Sequence, residues 1–326
     1  MPTMGADNID GSLLEEIEAH AVAVARGAGQ ILLEHFCQPQ EVRFKTKNNQ
    51  DPVTVADGRS EAYLKAAIKE KFPRHGILGE EGGALSESDS PFVWVLDPLD
   101  GTANFMNGLP LFAVSVGVLW QGQPVVGSIF VPVSHCAGPG VYHARLGNGA
   151  FLNGEKIQAA RTPSGRPLIE LPRGFSGGFR LSGRSRKTPH EARNLGSIAV
   201  ELTLAACGVF QYALFGAPKI WDVAAGVVLV KEAGGLTLTR PKKGRHWLPL
   251  ERFQPGPGNA PGALEKLRGW SAPLVAGDPD AARRVVKDIR VFRNPLWRLA
   301  RLLRSPDKKN GIAKPDSLSP GGRELE

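Results

Sequence analysis

The sequence is poor in cysteine and in long apolar runs, and each shortage excludes a class of protein. Its 326 residues include three cysteines, Cys37, Cys136 and Cys207. Their odd number and their spacing fit neither a disulfide framework nor a zinc site, so we expect buried, reduced thiols. No apolar run is long enough to cross a membrane, and the first residues lack the basic and apolar regions of a secretory signal. We therefore expect a soluble, cytoplasmic protein.

The body of the chain has little net charge, although the whole chain has a formal net charge of +8. Residues 281–326 hold 12 Lys and Arg against 5 Asp and Glu, which leaves only +1 for the rest. A nearly neutral body gives no reason to expect binding to nucleic acid.

The basic tail has two predicted parts, a helical part within 280–304 and a polar, Pro- and Gly-rich part after it that we expect to be disordered. The helix predicted over 295–304 has leucines on one face. Two roles stay open for it: docking on the body or a second subunit, or weak contact with an anionic membrane surface.

The most informative segment follows the apolar run 92–96, which predicts a buried strand. Asp97 and Asp100 lie at the carboxyl end of this strand, and Gly101 and Thr102 come directly after them. Carboxylates and substrate phosphate are the usual ligands of Mg²⁺ in proteins. Exposed backbone N–H groups beside them would bind phosphate oxygens. The alternative is an ordinary turn, because Asp, Pro and Gly are common turn residues.

Four further acids support the first interpretation, although three of them also have a structural explanation. Asp57 would cap the helix predicted over 59–71, and Asp222 stands at the start of an apolar helix, where its charge is favourable. Glu80 lies in a glycine-flanked turn. Asp51 precedes a proline outside any apolar periodicity and is harder to explain structurally.

Other phosphatase and hydrolase chemistries find little support. Asp97 and Asp100 are three residues apart, whereas an aspartyl-phosphate enzyme needs acids two apart. Cys37 and Arg43 match a Cys-x5-Arg spacing, but the loop lacks glycine and contains Glu41, which would repel a phosphate.

Six short motifs occur in order, at residues 51–57, 79–81, 94–105, 147–154, 221–226 and 231–235. Together they resemble the inositol monophosphatase family, the Mg²⁺-dependent, lithium-sensitive phosphatases related to fructose bisphosphatase. The resemblance spans residues 12 to 278. It implies two or three Mg²⁺ ions bound by five oxygen ligands, namely Glu80, Asp97, the Leu99 carbonyl, Asp100 and Asp222.

The resemblance also implies roles in catalysis and in substrate binding. Thr102 would orient the attacking water toward phosphate through a hydrogen bond with Glu80, and Asp51 would assist a weakly held third ion. Phosphate oxygens would bind the N–H groups of Gly101 and Thr102. The residues expected to bind substrate or phosphate are Gly101, Thr102, Asp100, Ser197 and Phe215.

Two positions depart from the family pattern and leave the substrate open. Phe215 stands where the family usually has an acid that binds substrate hydroxyls, and Ile198 is bulkier than expected. A Phe cannot accept hydrogen bonds, so polar hydroxyls there would be left unpaired. The resemblance implies a small phosphorylated alcohol, an inositol or related sugar or polyol phosphate, and the two departures favour one that is partly apolar or differently shaped. Histidinol phosphate, adenosine 3′,5′-bisphosphate and a catalytically silent relative remain alternatives.

The pattern of helices and strands predicts an α+β protein built as a layered αβαβα sandwich. Helices are expected over 13–36, 59–71, 197–207 and 221–233, with strands over 76–80, 92–97, 111–119, 124–131 and 139–143. We expect an N-terminal part, 1–160, with most metal ligands, a C-terminal part, 161–278, that completes the site, and a tail, 279–326. The five-layer order and a homodimer are implied by the resemblance.

Overall fold

The computed structural model describes ten stretches of the chain: residues 9–38, 42–44, 52–81, 84–85, 90–136, 138–159, 166–172, 179–241, 246–253 and 262–291. Asp51 and the helix predicted over 295–304 lie outside these residues. The predicted boundary at residue 160 does so too, and it stays a prediction.

The described residues form eight helices, and four of them begin at a capping side chain. Asp10, Ser197 and Asp278 each accept a backbone N–H of the helix that follows, which satisfies donors that have no partner within the helix. The helices are α1 Gly11–His35, α2 Val55–Lys71, α3 Thr102–Met106, α4 Gly183–Lys187, α5 Ile198–Ala206, α6 Ile220–Glu232, α7 Ala263–Arg268 and α8 Pro279–Asp288.

A first sheet of eight strands carries the central motif. Its order is β10-β9-β8-β7-β6-β5-β3-β4, with β3 and β5 parallel and the other neighbours antiparallel. The strands are β3 Gly76–Gly79, β4 Ala84–Leu85, β5 Phe92–Asp100, β6 Ala113–Trp120, β7 Gln123–Val131, β8 Gly140–Arg145, β9 Gly149–Leu152 and β10 Glu155–Ile157.

A second sheet of six strands has the order β13-β11-β14-β17-β15-β16. Its strands are β11 Leu168–Glu170, β13 Glu191–Arg193, β14 Phe210–Phe215, β15 Leu236–Thr239, β16 Leu248–Pro249 and β17 Leu274–Gly277. Two short antiparallel pairs complete the described strands. They are β1 Val42–Phe44 with β2 Pro52–Thr54, and β12 Phe179–Leu181 with β18 Ile289–Val291.

Three hydrophobic cores separate five layers and confirm the predicted αβαβα sandwich. Helices α1 and α2 cover one face of the first sheet. Helices α5 and α6 fill the space between the two sheets. Helix α8 covers the outer face of the second sheet. Because each sheet is covered on both faces, its strands read as continuous apolar runs, as in β5 and β6.

Several local expectations were wrong. Helix α2 begins at Val55, because Thr54 is the N-cap and Asp57 is the third helical residue of a capping box. The Gly, Arg and Ser residues of 173–190 predict loops, whereas the described part of this stretch contains β12 and α4. Cys37 and Cys136 are exposed, and only Cys207 is buried.

The C-terminal segment also differs from its prediction. The helix expected within 280–304 ends at Asp288 and is followed by β18. Ala281, Ala282 and Val285 of α8 are buried against the second sheet. The folded body therefore continues at least to Val291.

Candidate active site

The site begins where β5 leaves the regular ladder of the first sheet. Asp97 is opposite Ser115 in β6, but the register shifts before Asp100. The Asp97 side chain is 1 % exposed, and its Oδ1 accepts the backbone N–H of Leu99 at 3.1 Å. Ser60 of α2 donates to the Pro98 carbonyl at 2.8 Å. The two acids thus lie on a turn that is fixed from both sides.

Gly101 turns the chain from β5 into α3. Its φ of +91° lies in the left-handed region, which favours glycine. A Cβ atom there would stand 3.0 Å from the Leu111 carbonyl oxygen and 3.1 Å from the Ser197 Cβ. The Thr102 hydroxyl donates its one hydrogen to the Leu99 carbonyl at 3.1 Å, so its contact with Glu80 stays a prediction.

Helix α6 brings Asp222 to the first sheet. Asp222 lies in the first turn, and its Oδ2 accepts the N–H of Lys219 at 2.7 Å. Ser115 Oγ, beside Asp97 in the ladder, donates to the Trp221 carbonyl at 3.3 Å. The start of α6 is therefore tied to the strand neighbouring Asp97.

Two paired glycines let α6 come this close. Gly117 and Gly127 face each other across β6 and β7. A Cβ on Gly117 would lie 2.7 Å from the Ala224 Cβ, and one on Gly127 would overlap the Ala225 backbone. The sequence analysis missed both glycines, since each looks like an ordinary interruption of an apolar strand.

Asp100 connects the first sheet to the start of α5. Its Oδ2 accepts hydrogen bonds from Ser197 Oγ at 2.6 Å and from the N–H of Ala199 at 2.5 Å. Ser197 is also the N-cap of α5. The predicted substrate-binding residues Asp100 and Ser197 are thus in direct contact.

The turn before Ser197 is held by two residues that the sequence analysis missed. Glu201 Oε1 accepts the N–H groups of Leu195 at 2.6 Å and Gly196 at 3.2 Å. From the other side, Asn104 Nδ2 donates to the Leu195 carbonyl at 2.7 Å and to the Leu111 carbonyl at 2.6 Å. An S-x-x-x-E pattern at a helix start was the only signal available.

The acids of the site raise one another's pKa. Burial is the main cause, and it raises the pKa of Asp97 well above its ordinary value, with repulsion from Glu80, Asp100 and Asp222 adding to it. Burial likewise raises the pKa of Asp222 to about 8 and that of Asp100 to about 6, the latter opposed by the Ser197 hydrogen bond. Carboxylates arranged in this way favour either protons or cations between them.

The donor set fits a hard divalent cation. Among the described residues, no three His, Cys, Asp or Glu side chains are grouped closely enough to form a finished coordination shell. Repulsion from Glu80 contributes to the raised pKa of Asp97, Asp100 and Asp222, and each of these carboxylates has further lone pairs beyond its hydrogen bonds. Carboxylate and carbonyl oxygens without His or Cys suit Mg²⁺ rather than Zn²⁺.

Of two further residues that the sequence singled out, Phe215 lies apart from the acids and Asp57 lies beside them. Phe215, at the end of β14, is 3 % exposed and belongs to the core between the sheets. Asp57 accepts the N–H and hydroxyl of Thr54 at 2.8 and 2.6 Å. Burial raises the pKa of Asp57, and repulsion from Glu80 contributes, so this cap borders the acids.

Comparison with known proteins identifies the class to which this fold and this site belong. The sequence model of the Inositol monophosphatase family matches residues 13–267. The chain therefore belongs to the inositol monophosphatase family, and it is a phosphoric monoester hydrolase.

Individual relatives agree with this assignment. The chain is 37% identical over 236 residues to the chloroplastic phosphatase IMPL1 of Arabidopsis thaliana, covering 68% of this chain and 61% of that protein. It is 36% identical over 221 residues to an inositol-1-monophosphatase of Mesorhizobium japonicum, and this match covers 66% of this chain and 82% of that protein. A crystal structure of the suppressor protein suhB of Bartonella henselae matches with a TM-score of 0.64 at 26% identity, covering 83% and 96%.

Proposed function

We propose that the protein hydrolyses the phosphate monoester of a small alcohol at the acid cluster, with two or three Mg²⁺ ions. The observation that carries this proposal is a set of hydrogen bonds that joins the acid-bearing segments: Asp100 bonds to the start of α5, the start of α6 with Asp222 is tied to the strand beside Asp97, and the N–H of Glu80 donates to β5 at the Leu96 carbonyl. The ions would be held by these acids and by the Leu99 carbonyl. When bound, Mg²⁺ activates water and neutralises charge on the phosphate.

The chain's own residues would do the remaining work. The N–H groups of Gly101 and Thr102, at the start of α3, would bind phosphate oxygens. Thr102 would form a hydrogen bond with the attacking water once its hydroxyl leaves the Leu99 carbonyl. Asp51 would assist the binding of a weakly held third ion. Ser197 would fix Asp100, as their 2.6 Å contact supports.

We propose that the alcohol is less polar or differently shaped than inositol. Position 215 offers a buried phenyl ring in place of a hydroxyl-binding acid. Ile198 is half-buried beside Ala199, which donates to Asp100, so its side chain would narrow the entrance for a polyol. Ile198 therefore supports a partly apolar pocket wall, and position 215 supports it only through the absence of a hydroxyl-binding acid.

A phosphate-release screen tests this proposal. The substrates would be inositol monophosphates, sugar and polyol phosphates, histidinol phosphate and adenosine 3′,5′-bisphosphate, each with and without Mg²⁺. We expect Mg²⁺-dependent release with the highest kcat/KM on a substrate other than inositol monophosphate. Ile198→Ala should raise kcat/KM for inositol monophosphate several-fold, about the effect of one or two methylenes. Leu204→Ala, a half-buried leucine of the same helix, is the matched control.

Absence of Mg²⁺-stimulated turnover on every substrate would favour a silent, ligand-binding relative. An unchanged substrate ranking in Ile198→Ala would remove this residue from the pocket. Within the described residues no helix is long and apolar enough to span a membrane. The homodimer, the cytoplasmic location and the membrane contact of the tail stay predictions.

A further inference from the structure

Arg268 makes an unusual set of contacts close to the acids. It is the last residue of α7 and is half-buried. Its guanidinium donates to the carbonyl oxygens of Gly79 at 3.2 Å and Glu80 at 3.4 Å. The same group lies over the ring of Trp221, 5.7 Å from its centroid.

These contacts join two elements that are far apart in sequence. Glu80 follows β3, which lies between β5 and β4 in the first sheet, whereas Trp221 precedes Asp222 in the first turn of α6. A guanidinium can serve both because it is planar, donating at its edge and stacking with its face. Arg268 thus contacts the backbone of Glu80, a proposed metal ligand, and the ring of Trp221, which directly precedes the proposed ligand Asp222.

The contacts indicate positioning rather than charge neutralisation. Both recorded hydrogen bonds of Arg268 end on main-chain carbonyls and not on carboxylates. A cation that acted only through its charge would compete with Mg²⁺ and weaken its binding. A cation that fixes the chain at Glu80 against α6 would strengthen it. The two roles therefore predict opposite effects of removing the side chain.

We propose that Arg268 is a positioning residue for the metal centre, clamping the Glu80 backbone to the start of α6 and so raising the affinity for Mg²⁺. The inference rests on the proposed Mg²⁺ site. It concerns a residue just beyond the 13–267 stretch that the family model matches.

The test is a Mg²⁺ titration without substrate, in which binding is measured by calorimetry and by the change in melting temperature. In Arg268→Ala we expect the dissociation constant for Mg²⁺ to rise about tenfold, the usual loss when a residue that orients a ligand is removed. Arg268→Lys should restore part of the affinity, because an ammonium can reach a carbonyl but cannot stack as a plane. Arg252→Ala is the matched control, since Arg252 also donates to a main-chain carbonyl, that of Gln121 at 2.9 Å.

Unchanged or tighter Mg²⁺ binding in Arg268→Ala would overturn the inference. If that variant does not fold, Arg268→Lys decides the question. An affinity for Mg²⁺ equal to that of wild type would refute positioning by the planar guanidinium, and a measurable loss of affinity would support it. Failure of the proposed function would look different, because wild type itself would then show no Mg²⁺ binding.

Discussion

Two groups of acids in this molecule differ in what satisfies them, although burial raises the pKa of three members of the first group and of both members of the second. The site acids are Glu80, Asp97, Asp100 and Asp222. The support pair is Glu170, on β11, and Glu201, on α5. Burial raises the pKa of Glu170 to about 9, helped by repulsion from Glu201, and that of Glu201 to about 7.

The support pair is surrounded by N–H donors. Glu170 accepts Asn194 Nδ2 at 3.2 Å and the N–H of Leu214 at 3.1 Å, while Glu201 holds the turn before Ser197. Three of the site acids also accept a backbone N–H, but all three are repelled by the fourth, Glu80. A raised pKa alone therefore does not distinguish a metal centre from a scaffold; the neighbouring groups do. The site acids should respond to Mg²⁺ and the support pair to pH.

The largest expected effect comes from removing one site acid. Asp97→Asn should lower kcat by about 100-fold or more, as removal of other charge-stabilising groups does. It should also abolish the stabilisation by Mg²⁺, which in wild type is about 2.7 kcal/mol at 100 times the dissociation constant. Phosphate release and melting curves with EDTA or Mg²⁺ measure both. Nearly normal turnover of Asp97→Asn at saturating Mg²⁺ would contradict the assignment.

A smaller effect is expected where the support pair meets the site. Glu201→Ala removes the acceptor of two N–H groups and should lower kcat/KM about tenfold through Ser197 and Asp100. Glu201→Gln keeps an acceptor oxygen and should recover most of this loss. Steady-state kinetics of both variants, at fixed saturating Mg²⁺, separate positioning from charge. Equal activity of Glu201→Ala and wild type would show that the turn does not depend on Glu201.

The smallest effect should appear as a pH dependence of stability. The pKa of Glu170 is about 9 in the native protein against an ordinary 4.5. Between these values the unfolded chain has lost a proton that the native chain keeps, so this residue makes stability fall as pH rises. In Glu170→Gln the loss of unfolding free energy between pH 6 and 7 should be smaller, by about 1 kcal/mol.

Denaturant unfolding at the two pH values measures this difference. Because each protein is compared with itself, a constant destabilisation by the substitution does not affect the result. Glu155→Gln, at an exposed acid, should keep the wild-type pH dependence. The same dependence in Glu170→Gln would mean that Glu170 titrates normally.

The sequence predicted the parts of the site that are local. The apolar run before Asp97, the turn at Gly101 and the helix start at Asp222 each express a preference of neighbouring residues, and the structure has a strand end, a left-handed glycine and a first turn there. The layered sandwich was predicted from the same local patterns together with the family resemblance.

The residues that were missed act through contacts between distant segments. Asn104 holds a turn 91 positions further along the chain, and Arg268 reaches back 188 positions to Glu80. No periodicity or motif records such a pairing, because each partner has an ordinary local environment. Asp57 shows the opposite error, since a local rule placed it correctly at a helix start but at the wrong position of the cap.

The paired glycines Gly117 and Gly127 have a consequence for how this site could change over evolution. Since a single methyl group at either would push α6 away from the first sheet, the separation of Asp222 from Asp97 is fixed by two residues that touch no substrate. In the function proposed above, substitutions at Ile198 would therefore alter substrate choice without changing this separation. Mutational scans of this chain should accordingly find fewer tolerated substitutions at Gly117 and Gly127 than at Ile198.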